Sequence, residues 1–211
     1  MAVPLHGGDQ SMSVNQSRVF LSCLLILFTA SAVFVGSTAT ADESACQFDQ
    51  DEMLRLDFNA FDQSYDQGWR VVAEQEGCEL AAADLIRNYI EHHQTDHVII
   101  VFHEAQLRAK AGQIDRAVEL FRQTRIEDGQ MTAFGWNEYV DASIAFLERD
   151  RQALVDARDR LTSLTRPSNL GARDRHGNPI EIEWPPNIGM VNGFVACFDK
   201  SYKQAYDTCS K

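Results

Sequence analysis

Gly77 and Gly112 lie 35 residues apart, Ala82 and Ala117 repeat the interval, and Ala153 follows 36 residues later. Between these marks the apolar residues recur at helical spacing. The sets are Leu54, Phe58 and Phe61; Trp69, Val72 and Ala73; and Ala82, Leu85, Ile86, Tyr89 and Ile90. They continue with Val98, Val101, Phe102, Ala105 and Ala109; Ile114, Ala117, Val118 and Phe121; Trp136, Val140, Ile144 and Leu147; and Leu154, Ala157, Leu161 and Leu164. Each set fits one face of a helix. The breakers Gly68, Gly77, Gln94-Thr95-Asp96, Gly112, Asp128-Gly129 and Arg149-Asp150 separate them. A helical hairpin buries only one face on itself, so repeated hairpins must stack on their neighbours. A small Ala near the start of each second helix lets paired axes approach. The expectation is an all-α fold: about three stacked antiparallel hairpins, with a helix before them and a capping helix after them. No interior segment alternates with period two for long enough to build a substantial sheet.

Ala105, Gly112, Ile114, Ala117 and Phe121 resemble the small, Gly, apolar, Ala, aromatic skeleton of the tetratricopeptide repeat. The resemblance covers residues 63–164 in three hairpins. The second fits best, the first has a short leading helix, and the third carries Arg149-Asp150 where Gly is usual. It implies a right-handed stack whose first helices form a concave groove for a peptide or protein partner. In that register Phe102, Gln106, Ala109 and Lys110 line the groove, joined by Glu138 and Phe146, unless residues 187–209 pack into it. The chain also resembles secreted bacterial helical proteins, which implies no activity.

The N-terminus gives an address. Arg18 precedes the uncharged apolar run Val19 to Val35, and Ala39 and Ala41 supply small residues for cleavage after Ala41. Residues 1–41 therefore read as a signal peptide, with Met12 as an alternative start and an uncleaved membrane anchor as the competing reading. Cys23 lies too early in the apolar run for lipid attachment. The organisation that follows is a helical-repeat domain over 42–166, a Pro/Gly-containing connection over 167–186, and C-terminal capping helices over 187–211. In the connection Ile180, Ile182 and Trp184 alternate with acids, which suggests a short extended segment laid on the helices. Pro185-Pro186-Asn187 reads as a stop followed by an N-cap. The expected location is periplasmic or secreted, with no membrane association after cleavage.

Beyond residue 41 four cysteines remain, an even number suited to two disulfides in an oxidising compartment. On a continuous helix Cys197 and Cys209 would stand about 18 Å apart, too far to bridge, so a local pair needs a turn, which Asp199-Lys200-Ser201 offers. Cys46 with Cys78 and Cys197 with Cys209 is the favoured pairing, and the two long-range pairings stay open.

Residues 1–41 hold one cation, Arg18, and one acid, Asp9, so the rest of the chain keeps the whole formal charge of −12. Phosphate would repel so acidic a molecule, which excludes a general nucleic-acid binder. A basic or neutral protein partner is favoured instead. The densest chemical feature is His92-His93-Gln94-Thr95-Asp96-His97, followed by His103-Glu104. His93 and His97 are the weak candidates for a metal site, because their spacing spans a turn rather than a helix face. Glu104 and Arg108 read as an i,i+4 surface pair, and Asp62, Asp66, Asp156 and Asp159 as outer-face carboxylates. Residues 62–68 lack the later ligands of a Ca²⁺ loop. No serine elbow, phosphate loop or HExxH motif is present, so no cofactor and no reaction is implied. The favoured function is an interaction module. The alternative is an exported enzyme or small-ligand or metal binder using the His92–Glu104 region or the Arg173–Pro179 loop.

Overall fold

The computed structural model describes residues 46–210 apart from 128, 129, 169, 174, 175 and 182. The signal segment 1–41, its proposed cleavage site and the Asp128-Gly129 turn lie outside the described residues. The described chain is mainly helical. It runs α1 (Gln50–Leu54), a π-helical turn (Asn59–Gln63), α2 (Trp69–Ala73), α3 (Glu79–His93), α4 (Val98–Lys110) and α5 (Ile114–Gln123). Then come α6 (Gln130–Ala133), α7 (Trp136–Leu147), α8 (Arg151–Thr162), α9 (Ile188–Ala196), α10 (Tyr202–Gln204) and a closing π-helical turn (Ala205–Cys209). The only pairing of strands among the described residues is a minimal one, Ala172–Arg173 antiparallel to Pro179–Ile180.

Capping and glycine set the boundaries. Gly77 and Gly112 adopt positive φ at 78° and 83°, the left-handed turn that ends one helix and admits the next. Arg149 takes the same turn at 60°, as a non-glycine residue, and Asp150 then caps α8 by accepting from the Ala153 N–H at 2.9 Å. Ser201 and Gln204 form a capping box at α10. Asn187 occupies the N-cap of α9 as expected, but in a left-handed conformation and without a side-chain bond. The first expected helix is broken: α1 stops at Leu54, and Asp57 accepts from the Ala60 N–H at 2.9 Å to start the π-helical turn.

Successive helices pack in sequence order, α3 on α4, α4 on α5 and α7 on α8, with α9 laid against α7 and α8. Helix α4 is the hub, because its residues from Phe102 to Ala109 are buried all round except at His103. Ile100 and Leu107 face one core with Phe61, Val72, Leu85, Ile86 and Tyr89. Phe102, Ala105 and Ala109 face the other, with Phe121, Phe146, Leu154, Phe194 and Tyr202. Ala82 and Ala117 are fully buried where the helices approach. Ala153 is not equivalent to them, since it is exposed and the neighbouring Leu154 is buried. Counted from the turn residues Gly112 and Arg149, the second interval is 37 residues and not 35, which carries the buried position from Ala153 to Leu154.

Two disulfides staple the ends. Cys46–Cys78 spans 32 residues and ties the chain before α1 to the start of α3, and Cys197–Cys209 spans 12 and folds the closing turn back on α9. The turn anticipated at Asp199-Lys200-Ser201 separates the second pair. At Gly193 a Cβ would come within 2.8 Å of the Ser210 backbone, so only glycine admits this return. Trp184 reaches the helical body as expected, donating to the Leu164 carbonyl at 2.9 Å.

Overpacking at Ala117 follows from this packing. Ala117→Leu should cost about 1–3 kcal/mol, whereas Ala153→Leu on the exposed face should change stability by less than about 0.5 kcal/mol. Urea unfolding of both variants checks the register, and equal losses would contradict it.

Candidate functional site

The expected groove is filled. Phe102 and Ala109 are 3% exposed, Gln106 8% and Phe146 0%. Phe146 packs against Phe194 at 5.0 Å and Tyr202 at 6.0 Å between ring centroids, both supplied by the C-terminal arm, residues 187–210. Phe102 is enclosed by Phe121, Trp136 and Tyr139. Gln106 donates to the hydroxyls of Tyr139 at 3.1 Å and Tyr206 at 3.3 Å. These four residues therefore belong to the core and do not line an open surface: the arm packs on Phe146 and Gln106, and α5 and α7 enclose Phe102. Burial pushes the hydroxyls of Tyr139, Tyr202 and Tyr206 above the ordinary tyrosine range. Glu138 is half-buried in the first turn of α7. Of the groove candidates, Lys110 alone reaches a cleft.

That cleft, of about 350 Å³, lies where α2, α3 and the end of α4 meet the arm. Trp69, Ala73 and Leu107 form its apolar floor. Arg70 and Glu74 stand on one rim, with Glu79, Lys110, Lys203 and Asp207 opposite. Two of the chain's four lysines meet here. Asp207 bridges them, one carboxylate oxygen 2.7 Å from Lys110 and the other 2.9 Å from Lys203. Lys203 also pairs with Glu79 at 3.0 Å, so the arm is latched to α3 and α4 together. The Lys110 ammonium lies 4.2 Å from the Tyr206 ring centroid. Burial alone would raise the Asp207 carboxyl, but the two lysines hold it below its ordinary range.

Behind the Trp69 end of the cleft stands a polar cluster that sequence spacing did not reveal. Asp62 is wholly buried, not an outer-face carboxylate. It accepts from His103 Nδ1 at 2.7 Å, Trp69 Nε1 at 3.0 Å and Gln63 Nε2 at 2.5 Å. Arg70 donates to its backbone carbonyl. Burial pushes the Asp62 carboxyl up, and His103, Trp69 and Gln63 outweigh that and hold it below its ordinary value. His103 thus pairs with a carboxylate 41 residues away and not with the adjacent Glu104. The available signal was chemical: a buried indole N–H needs an acceptor, and Asp62 follows the core residue Phe61 directly. Asp66, Asp156 and Asp159 are exposed, as expected of outer-face carboxylates.

Glu104 and Arg108 do pair, at 2.6 Å, but in the interior rather than on the surface. The guanidinium also donates to Asp84 at 2.8 Å and Gln113 at 2.7 Å, so α3, α4 and the start of α5 converge on one satisfied charge. Burial as the hub helix explains the difference, and the carboxylates more than offset the desolvation of Arg108 and hold its pKa up. His93 and His97 support the fold. His93 Nε2 donates to the Leu54 carbonyl at 2.8 Å and its ring packs on Tyr89, while His97 Nδ1 accepts from the Ile99 N–H at 3.3 Å to cap α4. His92 packs edge-on against His93. Among the described residues no group of three or more His, Cys, Asp or Glu is placed to hold a metal ion. No helix among them is long and apolar enough to cross a membrane. The loop from Arg173 to Pro179 includes residues outside the described set, so no site is built from it. No protein-family model, curated protein or solved structure matches the chain.

The Asp62 cluster makes a pH prediction. Its folded carboxyl lies below the usual 3.8, so its stabilisation is complete above that pH and is lost as pH falls through the lowered folded value. Asp62→Asn should cost about 1–3 kcal/mol near neutrality by leaving buried donors short of an acceptor. The gap from wild type should shrink below the pH of 3.8 at which a free Asp protonates. Denaturant melts at several pH values test it, and a gap independent of pH would refute the assignment.

Proposed function

We propose that the protein is an exported, disulfide-stapled interaction module, built as a right-handed stack of about three tetratricopeptide-like hairpins, that docks a partner segment at the cleft over Trp69, Ala73 and Leu107. The observation that carries this reading is the filling of the shared face of α4 and α7 by the chain's own arm, which leaves this cleft as an open concavity at the edge of that face. Its chemistry suits docking. An apolar floor offers area, the charged rim offers register, and Trp69, Arg70 and the exposed Tyr65 are of the residue types that dominate binding hot spots. Arg70 stacks over the Trp69 ring at 4.1 Å and faces the Tyr65 ring at 5.7 Å. The two disulfides fit an oxidising compartment, and that supports export to the periplasm or beyond. A peptide or protein is the expected partner, and no cofactor is required. The enzyme alternative draws its support from the Asp62–His103 pair, but the bond of Asp62 to Trp69 gives that carboxylate a structural role without invoking a reaction.

The immobilised chain from residue 42 onward should retain one stoichiometric partner from an extract of the producing cell's envelope. Ala73→Trp, which fills the cleft floor, should lose that partner with its circular dichroism and melting temperature preserved. Retention by the folded Ala73→Trp variant, or no stoichiometric partner at all, would overturn the reading.

A further inference from the structure

Arg70 and Glu74 stand one helical turn apart on the rim of the cleft, and neither forms an ion pair among the described residues. The opposite rim behaves differently, for Lys110, Lys203, Glu79 and Asp207 pair with one another. The Asp62 carboxylate, the negative charge felt most by Arg70, is already bonded to His103, Trp69 and Gln63, and Arg70 reaches only its backbone carbonyl. Partial burial lowers the pKa of the guanidinium, and the neighbouring Asp62 charge offsets that loss of hydration only in part. Stacking on Trp69 fixes its plane and leaves an N–H edge for a carboxylate. Arg four residues before Glu is also the less favourable helical order for an internal pair, which suits two charges held apart.

The spacing then selects a ligand. Four helical residues separate Arg70 and Glu74 by about 6 Å along the axis, close to the roughly 6.8 Å between same-face side chains at i and i+2 in an extended chain. We propose that this rim reads an extended partner segment carrying an acidic residue and, two positions away, a basic one, the acid bound to Arg70 and the base to Glu74. The inference rests on the cleft being a docking site and names the chemistry of what docks. A doubly acidic segment would oppose Glu74 and the chain's charge of −12, and a doubly basic one would oppose Arg70. A neutral acid–base pair satisfies both charges.

Four capped seven-residue alanine peptides test it, with positions three and five occupied by Glu and Lys, Glu and Glu, Lys and Lys, or Ala and Ala. Titration into the ¹⁵N-labelled chain from residue 42 onward is followed at the Trp69 indole N–H. The Glu/Lys peptide should bind about five- to tenfold more tightly than the other three. Arg70→Glu should transfer the preference to Lys/Lys. Glu74→Arg, at an exposed site that leaves the fold intact, should transfer it to Glu/Glu and carries the test if Arg70→Glu does not fold. Equal affinities across the panel, or an unchanged preference in Glu74→Arg, overturn the inference. Partner loss in Ala73→Trp alongside a flat panel leaves docking standing and removes only this chemistry. Partner retention in that variant removes docking itself.

Discussion

Phe146 of α7 and Gln106 of α4 meet the C-terminal arm through Phe194, Tyr202 and Tyr206, and the structure depends on how the arm removes this face from water. The C-terminal arm does so with Val191, Phe194, Tyr202 and Ala205, all at most 2% exposed. Burial of large apolar side chains contributes about 1.5–3 kcal/mol each, so detaching the arm would remove a large fraction of the stability available to a domain of this size. The arm is therefore a permanent part of the core. The Cys197–Cys209 bridge and the close approach of Ser210 to Gly193 hold its two halves together, and the Asp207 latch fixes its edge to α3 and α4.

Once the arm is seated, charge placement decides what remains available. Arg108, deep in the hub helix, is tolerated because Glu104, Asp84 and Gln113 satisfy it. Asp62 is tolerated because three donors converge on its carboxylate. Both clusters join segments distant in sequence and so fix the relative positions of α2, α3, α4 and α5. Arg70 and Glu74, at the edge of this network, form no ion pair among the described residues and line the cleft.

Helix identity, the breaks at Gly68, Gly77 and Gly112, and the small residues Ala82 and Ala117 were legible because they are local, set by side-chain periodicity and backbone sterics within a few residues. The 35-residue interval extended that local information to the order of packing. Reading it one step further failed at Ala153, since a shift of one residue turns a helical side chain by about 100° and carries it off the buried face. His103 was visible as a reactive type, yet its partner lay 41 residues away, beyond any spacing rule.

By itself the sequence determined the helical class, the positions of the turns, the even set of cysteines beyond residue 41 and the net acidity, all properties of short segments or of simple sums. Only the tertiary structure decided that the arm occupies the expected groove, that Asp62 and Arg108 are buried charges, and that Arg70 and Glu74 are without an ion-pair partner among the described residues. Each of those outcomes depends on which distant surfaces meet and which charges lose water when they do.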